Sequence, residues 1–310
     1  MADETSVHFR IIFKMSLIMG LVAIIPLAVM WYISHAACEG VVRQDVHNTL
    51  SSSADQLQSF IESWIDMNVL VLRQNAKFPE MISMDGVRQK KALETMVDTY
   101  EWDYLAFVTD INGQNISRSD SKELKDYSDR SYVRQVLGGK SMGQQVLISK
   151  TTGKPALVIS VPIKDSEDKT KGVLAVGMTL AGISEKLSNT RFGKTGYVIL
   201  LDQEGDVISH IDDTFIKNRT SLTDHPGYQA MLVSGKESLV YTNEFGKKVF
   251  SEIRKTKHDW VLLVQQDYDE AFSALTEYNQ KTKIVVLISL ISLVIIGFFV
   301  FRQLTAQFRS

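Results

Sequence analysis

Two stretches of this chain carry no charged side chain: MSLIMGLVAIIPLAVMWYI at residues 15–33 and IVVLISLISLVIIGFFVF at residues 284–301. A helix of roughly 18 or more apolar residues can cross the hydrocarbon core of a bilayer, because it satisfies its backbone polar groups internally. Both runs reach that length. They predict two membrane spans, at residues 11–34 and 284–301, enclosing about 250 residues, room for one large or two small domains. Trp31 and Tyr32 close the first run, where amphipathic rings settle at the lipid interface.

Arg10 and Lys14 precede the first run, and Arg302 and Arg309 follow the second. Basic flanks stay on the cytoplasmic side, which places residues 1–10 and 302–310 inside and the intervening segment outside. Lys281 and Lys283, on the other flank of the second run, weaken this assignment. A cleaved signal peptide is the rival for the first run, with Ser34-His35-Ala36 as its small-residue site. The apolar stretch is longer than a signal core, which favours a retained anchor. His35 also stands where a lipoprotein site before Cys38 needs an aliphatic residue.

A net charge of −2 lacks the basic face of a nucleic-acid binder, so no nucleic-acid partner is expected. Cys38 is the only cysteine, which excludes an internal disulfide and a cysteine-based zinc site.

From residue 39 to 75, Val42, Val46, Leu50, Leu57, Ile61, Trp64, Asn68 and Leu72 recur at helical spacing without a proline. That predicts a long helix, assigned to 35–78, packing on its own domain or on a partner copy. A second helical pattern covers residues 87–100. Then strands begin: YLAFVTD, the turn INGQ, NISRS, QQVLISK, the turn TTGKP, ALVISVPIKD, the charged loop DSEDKTKG and VLAVGMTL. Within this run lies DYSDRSYVRQVLGGK, a short helical segment ending at Gly138-Gly139.

The pattern then recurs. GYVILLDQEGDVISH reads strand, turn, strand, and LLDQEGDVIS repeats the texture of AFVTDINGQNIS. Three more strands follow, with FGK and KHD as turns, and residues 269–283 read as an exit helix into the second span. The expected fold is α+β: a long N-terminal helix and two tandem modules with antiparallel sheets, at residues 79–188 and 189–268, flanked by two transmembrane helices.

DRSYVRQVLGGK, TTGKPALVISVPI, GVLAVGMTL, GKTGYVILLDQEGDVISH and HDWVLLVQQD, in this order and spacing, resemble the double Cache family. That family supplies the extracytoplasmic sensor of many bacterial chemoreceptors, histidine kinases and diguanylate cyclases. The resemblance implies two PAS-like modules, the membrane-distal one binding a ligand and the proximal one relaying the change to the membrane helices. It also implies a bacterial inner-membrane location, a periplasmic sensor and a homodimer. FRQLTAQFRS is similar to the start of a HAMP-type linker, which implies a cytoplasmic output domain or partner; a stand-alone anchored sensor is the alternative.

The amino-acid-binding subgroup carries an Arg, an aromatic two residues on, a second aromatic beside it and an Asp in the last distal strand. Arg130 and Tyr132 match the first two; Val133 and Gly177 depart from the others. Without a carboxylate at position 177 to hold an ammonium, the implied ligand is a small organic anion more than an amino acid. A guanidinium forks two donors onto a carboxylate at any working pH, and a phenol adds a face and a hydroxyl. Tyr104, Ser117, Tyr127 and Ser149 are the further candidate contacts.

An enzyme is not expected. Ser166 and Lys169 fit S-x-x-K, and Lys194-Thr195-Gly196 is a K-T-G, but the serine lies in a charged loop and no S-D-N follows. The six histidines show no metal-ligand spacing, and no phosphate loop or cofactor motif occurs. His210 ends a strand and reads as structural. Asp110 and Asp202 start turns, where carboxylates cap backbone groups.

Overall fold

The computed structural model describes residues 2–149 and 155–307. The TTGKP turn, apart from Pro155, and Arg309 lie outside them. Contacts divide the chain into two units, residues 1–49 with 269–310 and residues 50–268.

The first unit is helical. It holds the N-terminal part of α1 (Ala2–Asn75) and most of the C-terminal helix introduced below. The helical stretches Gly20–Asn75 and Ser273–Phe299 each contain a window long and apolar enough to cross a membrane, and none of either window is buried. Pro26 lies inside α1, a placement that membrane helices tolerate.

In the second unit, α1 buries Leu50, Ala54, Leu57, Ile61, Ile65, Val69 and Leu72, a stripe at three- and four-residue spacing. Each Leu, Ile or Val of the stripe contributes roughly 1.5–3 kcal/mol by leaving water. After α2 (Pro79–Ile82) and α3 (Gly86–Thr99), capped by the Asp85 carboxylate, the first sheet forms. Its strands are β1 (Asp103–Asp110), β2 (Asn115–Arg118), β3 (Gly143–Ile148), β4 (Pro155–Lys164) and β5 (Thr170–Thr179), with α4 (Ser131–Leu137) inserted before β3. The order is β2-β1-β5-β4-β3, antiparallel throughout.

α5 (Ala181–Ser188) leads to the second sheet, made of β6 (Tyr197–Leu201), β7 (Val207–Ser209), β8 (Ser238–Thr242), β9 (Lys248–Lys255) and β10 (Val261–Asp267). α6 (Asp213–Lys217) and α7 (Pro226–Ser234) are inserted before β8. The order β7-β6-β10-β9-β8 repeats that of the first sheet strand for strand, and α7 takes the place of α4. The chain continues into α8 (Tyr268–Ala271) and α9 (Ser273–Gln307). The structure thus has the expected α+β composition: a long N-terminal helix and two tandem antiparallel modules.

The repeated Asp turns have a common cause. Asp110 Oδ1 accepts the backbone N–H groups of Asn112 and Gln114, and Asp202 Oδ1 accepts those of Glu204 and Asp206. Each carboxylate thereby pins the hairpin that starts its sheet. The KHD turn joins β9 to β10 and grips α1: Glu62 accepts the Lys257 N–H, while Asp66 pairs with Lys257 and His258. Just before it, Arg254 pairs with Asp55. Trp102 packs against the same helix, donating to Asn68 Oδ1 at 3.0 Å with its ring beside Trp64.

Candidate functional site

α4 crosses the first sheet closely. A Cβ at Gly143 would lie 2.1 Å from the Tyr132 carbonyl, so only glycine lets β3 pass beneath the helix there. Ser160 donates to the same carbonyl at 2.8 Å, and Gln145 accepts the Ser131 N–H. These contacts fix α4 over the sheet. Tyr132, Val133 and Val136 point into the core, and Phe107 meets the Tyr127 and Tyr132 rings at 4.5 and 6.3 Å.

A bulge at the start of β1 shapes the space left under α4. Asp103 pairs with Met178 and Leu105 with Gly177, so Tyr104 is an extra residue without an opposite number. Its ring turns onto the α4 side of the sheet, and a Cβ at Gly177 would meet the Tyr104 hydroxyl at 2.7 Å. At Gly177, where the resemblance implied a carboxylate, the space is therefore filled by a phenol.

Tyr104, Tyr127, Arg130, Tyr132, Ser149 and Gly177 line a cavity of about 20 Å³ over an apolar floor that includes Leu105, Phe107 and Val158. That is room for a water-sized group. Five of the six side chains expected from the sequence come together here: Tyr104, Tyr127, Arg130, Tyr132 and Ser149. Ser117 does not. Its hydroxyl donates to the Gly86 carbonyl at 2.9 Å, on the face of the sheet toward α3. The reason is parity: Ser117 pairs with Val108, whereas its neighbour Arg118 pairs with Phe107 and shares the cavity side.

Arg118 is the residue that sequence reasoning missed. Its side chain is 1% exposed, forks onto both Asp120 oxygens at 2.8 Å, and donates to the Tyr127 hydroxyl at 2.8 Å. A single arginine on a four-residue strand carries no local mark of this role. The one available signal was alternation with the apolar positions of β1.

Arg130 is the N-cap residue of α4, and its side chain is 18% exposed. Its Nε lies 3.6 Å from Asp129 Oδ1, an ion pair too long for a strong hydrogen bond. Burial pushes the hydroxyls of Tyr104, Tyr127 and Tyr132 above the usual phenol range, opposed at Tyr104 by its hydrogen bond with Ser149 and at Tyr127 by Arg118. All three stay neutral at working pH and can donate. Chemically, the cavity offers neutral phenols and one partly exposed guanidinium, with no carboxylate among its lining side chains.

Ser166 and Lys169 are exposed in the turn between β4 and β5. The K-T-G stands before β6, where Thr195 accepts the Asp267 N–H. Among the described residues, Asp202, Glu204 and Asp206 come close enough to share a cation, and Arg219 pairs with all three.

A tandem repeat of one antiparallel module of PAS-like topology, with a small cavity under the inserted helix of the first, is the class of protein that this fold defines. The family model for the Cache domain (dCache_1) matches residues 34–275, and the chain belongs to that family. Among curated proteins it is similar to the methyl-accepting chemotaxis protein McpA of Pseudomonas putida, at 23% identity over 80% of this chain and 39% of that one. A shorter similarity, 28% over 35% of this chain, is to 19% of a citrate (Re)-synthase of Syntrophus aciditrophicus. The chain thus spans well under half the length of the curated relatives it matches. The fold is that of the ligand-binding domain of the Pseudomonas fluorescens chemoreceptor CtaA, solved with L-leucine, at a TM-score of 0.60 and 17% identity over 75% of this chain and 99% of that one. The extracellular domain of rpHK1S-Z16, assigned as a histidine kinase, is equally similar, with a TM-score of 0.60 and 17% identity over 75% and 99%.

Proposed function

We propose that this chain is the ligand-sensing portion of a bacterial membrane chemoreceptor, and that it takes a small organic carboxylate into the cavity under α4. The observation that carries this reading is Arg130, whose guanidinium lines the cavity beside neutral phenols while no carboxylate does. The first-sheet module, residues 79–188, is the membrane-distal binder. The second, residues 189–268, is the relay, acting through residues 269–283 on the second span. The sensor lies in the periplasm, held by spans at 11–34 and 284–301, and works as a homodimer packed along α1. It has no catalytic role.

The CtaA domain was solved with L-leucine, which carries a carboxylate and an ammonium. Here Tyr104 fills the space at Gly177, so the ammonium finds no anionic partner in the cavity and the carboxylate end alone is recognised. A cavity of about 20 Å³ must widen to admit such a ligand. Ligand binding therefore favours a more open arrangement, and that difference in affinity is what a signal needs.

The test is thermal unfolding of the full chain in lipid nanodiscs against panels of mono- and dicarboxylates, amino acids and amines. A carboxylate at 100 times its dissociation constant should stabilise by about 2.7 kcal/mol. Arg130→Ala should weaken that binding by about tenfold or more, the loss of a charge-assisted contact, and leave the unliganded melting point unchanged. Stabilisation by amines alone, or carboxylate binding indifferent to Arg130→Ala, would sink the reading.

The likeness to rpHK1S-Z16 supports a second reading in which the same sensor drives a kinase. A methyl-accepting or a kinase domain on the cytoplasmic side of the second span separates the two.

A further inference from the structure

Where the first sheet holds its cavity, the second holds a buried acid–base cluster. Glu244, in the turn between β8 and β9, lies between two histidines. Its Oε1 is 2.9 Å from His210 Nε2 and accepts the Tyr197 hydroxyl, and its Oε2 is 3.4 Å from His225 Nε2. The His210, His225 and Glu244 side chains are 0, 3 and 7% exposed. His210 follows β7 and stacks on Phe215 of α6 at 4.2 Å, while His225 is the N-cap of α7.

The other nitrogen of each ring decides what the cluster can do. His210 Nδ1 accepts the Asp212 backbone N–H at 3.0 Å, and His225 Nδ1 accepts the Gly227 N–H at 3.3 Å. Each Nδ1 therefore keeps its lone pair, and each ring proton sits on Nε2, facing Glu244. A metal ligand needs the reverse, a lone pair on the inner nitrogen and a proton on the outer one. Burial pushes the Glu244 carboxyl up, but its contacts with His210, His225 and Tyr197 outweigh that and hold it well below the usual carboxylate range. The titratable groups that face the two rings are Glu244, Tyr197 of β6, Tyr241 of β8 and Asp212, whose carboxylate caps α6.

We propose that the ligand of this second site is a proton, and that His210 and His225 form an acid sensor around Glu244. A proton added to either imidazole must go to Nδ1, where a backbone N–H already points. Ring and backbone then present two donors to each other, so the 210–212 turn or the α7 cap has to let go. The cluster is connected to the strand that leaves the module. The Tyr241 ring stands edge-on to His225 at 5.1 Å, and its hydroxyl donates at 2.5 Å to Gln265, two residues before β10 ends.

The test is hydrogen exchange of the full chain in nanodiscs at pH 7.5 and 5.5, corrected for intrinsic rates. Protection at the amides of Asp212 and Gly227 should fall on the order of tenfold in acid. His210→Gln with His225→Gln keeps a side-chain N–H for Glu244 and removes the titration, so its protection should be the same at both pH values. Unchanged protection in the wild type, or an acid loss that persists in the double variant, overturns the proposal. If the double variant is unprotected at both pH values, nitrogen-15 histidine spectra of the wild type decide. Nδ1 signals that become protonated between pH 7.5 and 5.5 support the sensor, and signals that keep the lone pair to pH 5 overturn it. Protection restored by Zn²⁺ and removed by a chelator at constant pH would also overturn it, in favour of a metal. None of these results bears on carboxylate binding under α4, which is read separately.

Discussion

The two sheets share a strand order but fill the space beneath their inserted helix in opposite ways. In the first, phenols and a glycine leave a small cavity, and the Arg130 guanidinium stands 3.6 Å from an exposed carboxylate. In the second, Glu244 and two buried histidines close on one another at 2.9 and 3.4 Å. One scaffold therefore leaves a small cavity in one module and closes on a buried charge cluster in the other. Arg118 shows the same contrast inside the first sheet. Its fork is occupied by Asp120, so it supports the cavity through Tyr127, whereas Arg130 keeps donors to offer.

The comparison breaks most sharply at its two buried charges. Glu244→Ala leaves His210 and Tyr197 without their acceptor and His225 without its ion-pair partner, and should cost about 3–5 kcal/mol of unfolding free energy. Arg118→Ala strands Asp120 and should cost about 3 kcal/mol, while Arg130→Ala leaves stability within about 0.5 kcal/mol. Denaturant unfolding of the three variants in the same nanodiscs ranks them. Equal losses for the two arginine variants would erase the distinction between a supporting and a receptive guanidinium.

A smaller effect comes from Asp103, which precedes the bulge and whose carboxyl burial pushes up to about 7. The native state holds this proton up to about pH 7 while the unfolded chain releases it near pH 4. The group therefore favours the folded state at low pH, and that contribution is lost as pH rises toward 7. Asp103→Asn should stabilise by about 1–3 kcal/mol at pH 8 and have no effect at pH 4. A constant difference across that range would show that burial does not govern the site. A modest change is expected from Ser117→Ala. Losing one hydrogen bond to Gly86 should cost about 1 kcal/mol and leave carboxylate affinity unchanged.

The architecture was legible because it rests on local periodicity. The stripe from Leu50 to Leu72, the alternation within strands and the Asp turns at 110 and 202 act over a few residues each. The site was legible around α4 and at Tyr104 and Ser149, but not on β2. Ser117 and Arg118 differ by parity: the register of β2 shifts between Val108 and Thr109, and a one-residue step moves a side chain to the other face. The phenol at Gly177 depends on a bulge that no residue type announces. His210, read as structural, gave no hint of Glu244, because the two are 34 residues apart and meet only when the sheet forms. α7 does carry ordinary helix punctuation, His225-Pro226 at its start and Gly235 at its end, with φ of 61°.

β10 is the last strand of its sheet in the chain and yet sits in the middle of it, bonded to β6 on one side and β9 on the other. A strand at a sheet edge peels away one hydrogen bond at a time when its end is pulled. A central strand pulled along its length loads both flanking ladders at once, in shear. Tension applied at Asp267 is therefore shared by the whole module, and the second sheet behaves as a stiff coupling instead of a seam that unzips.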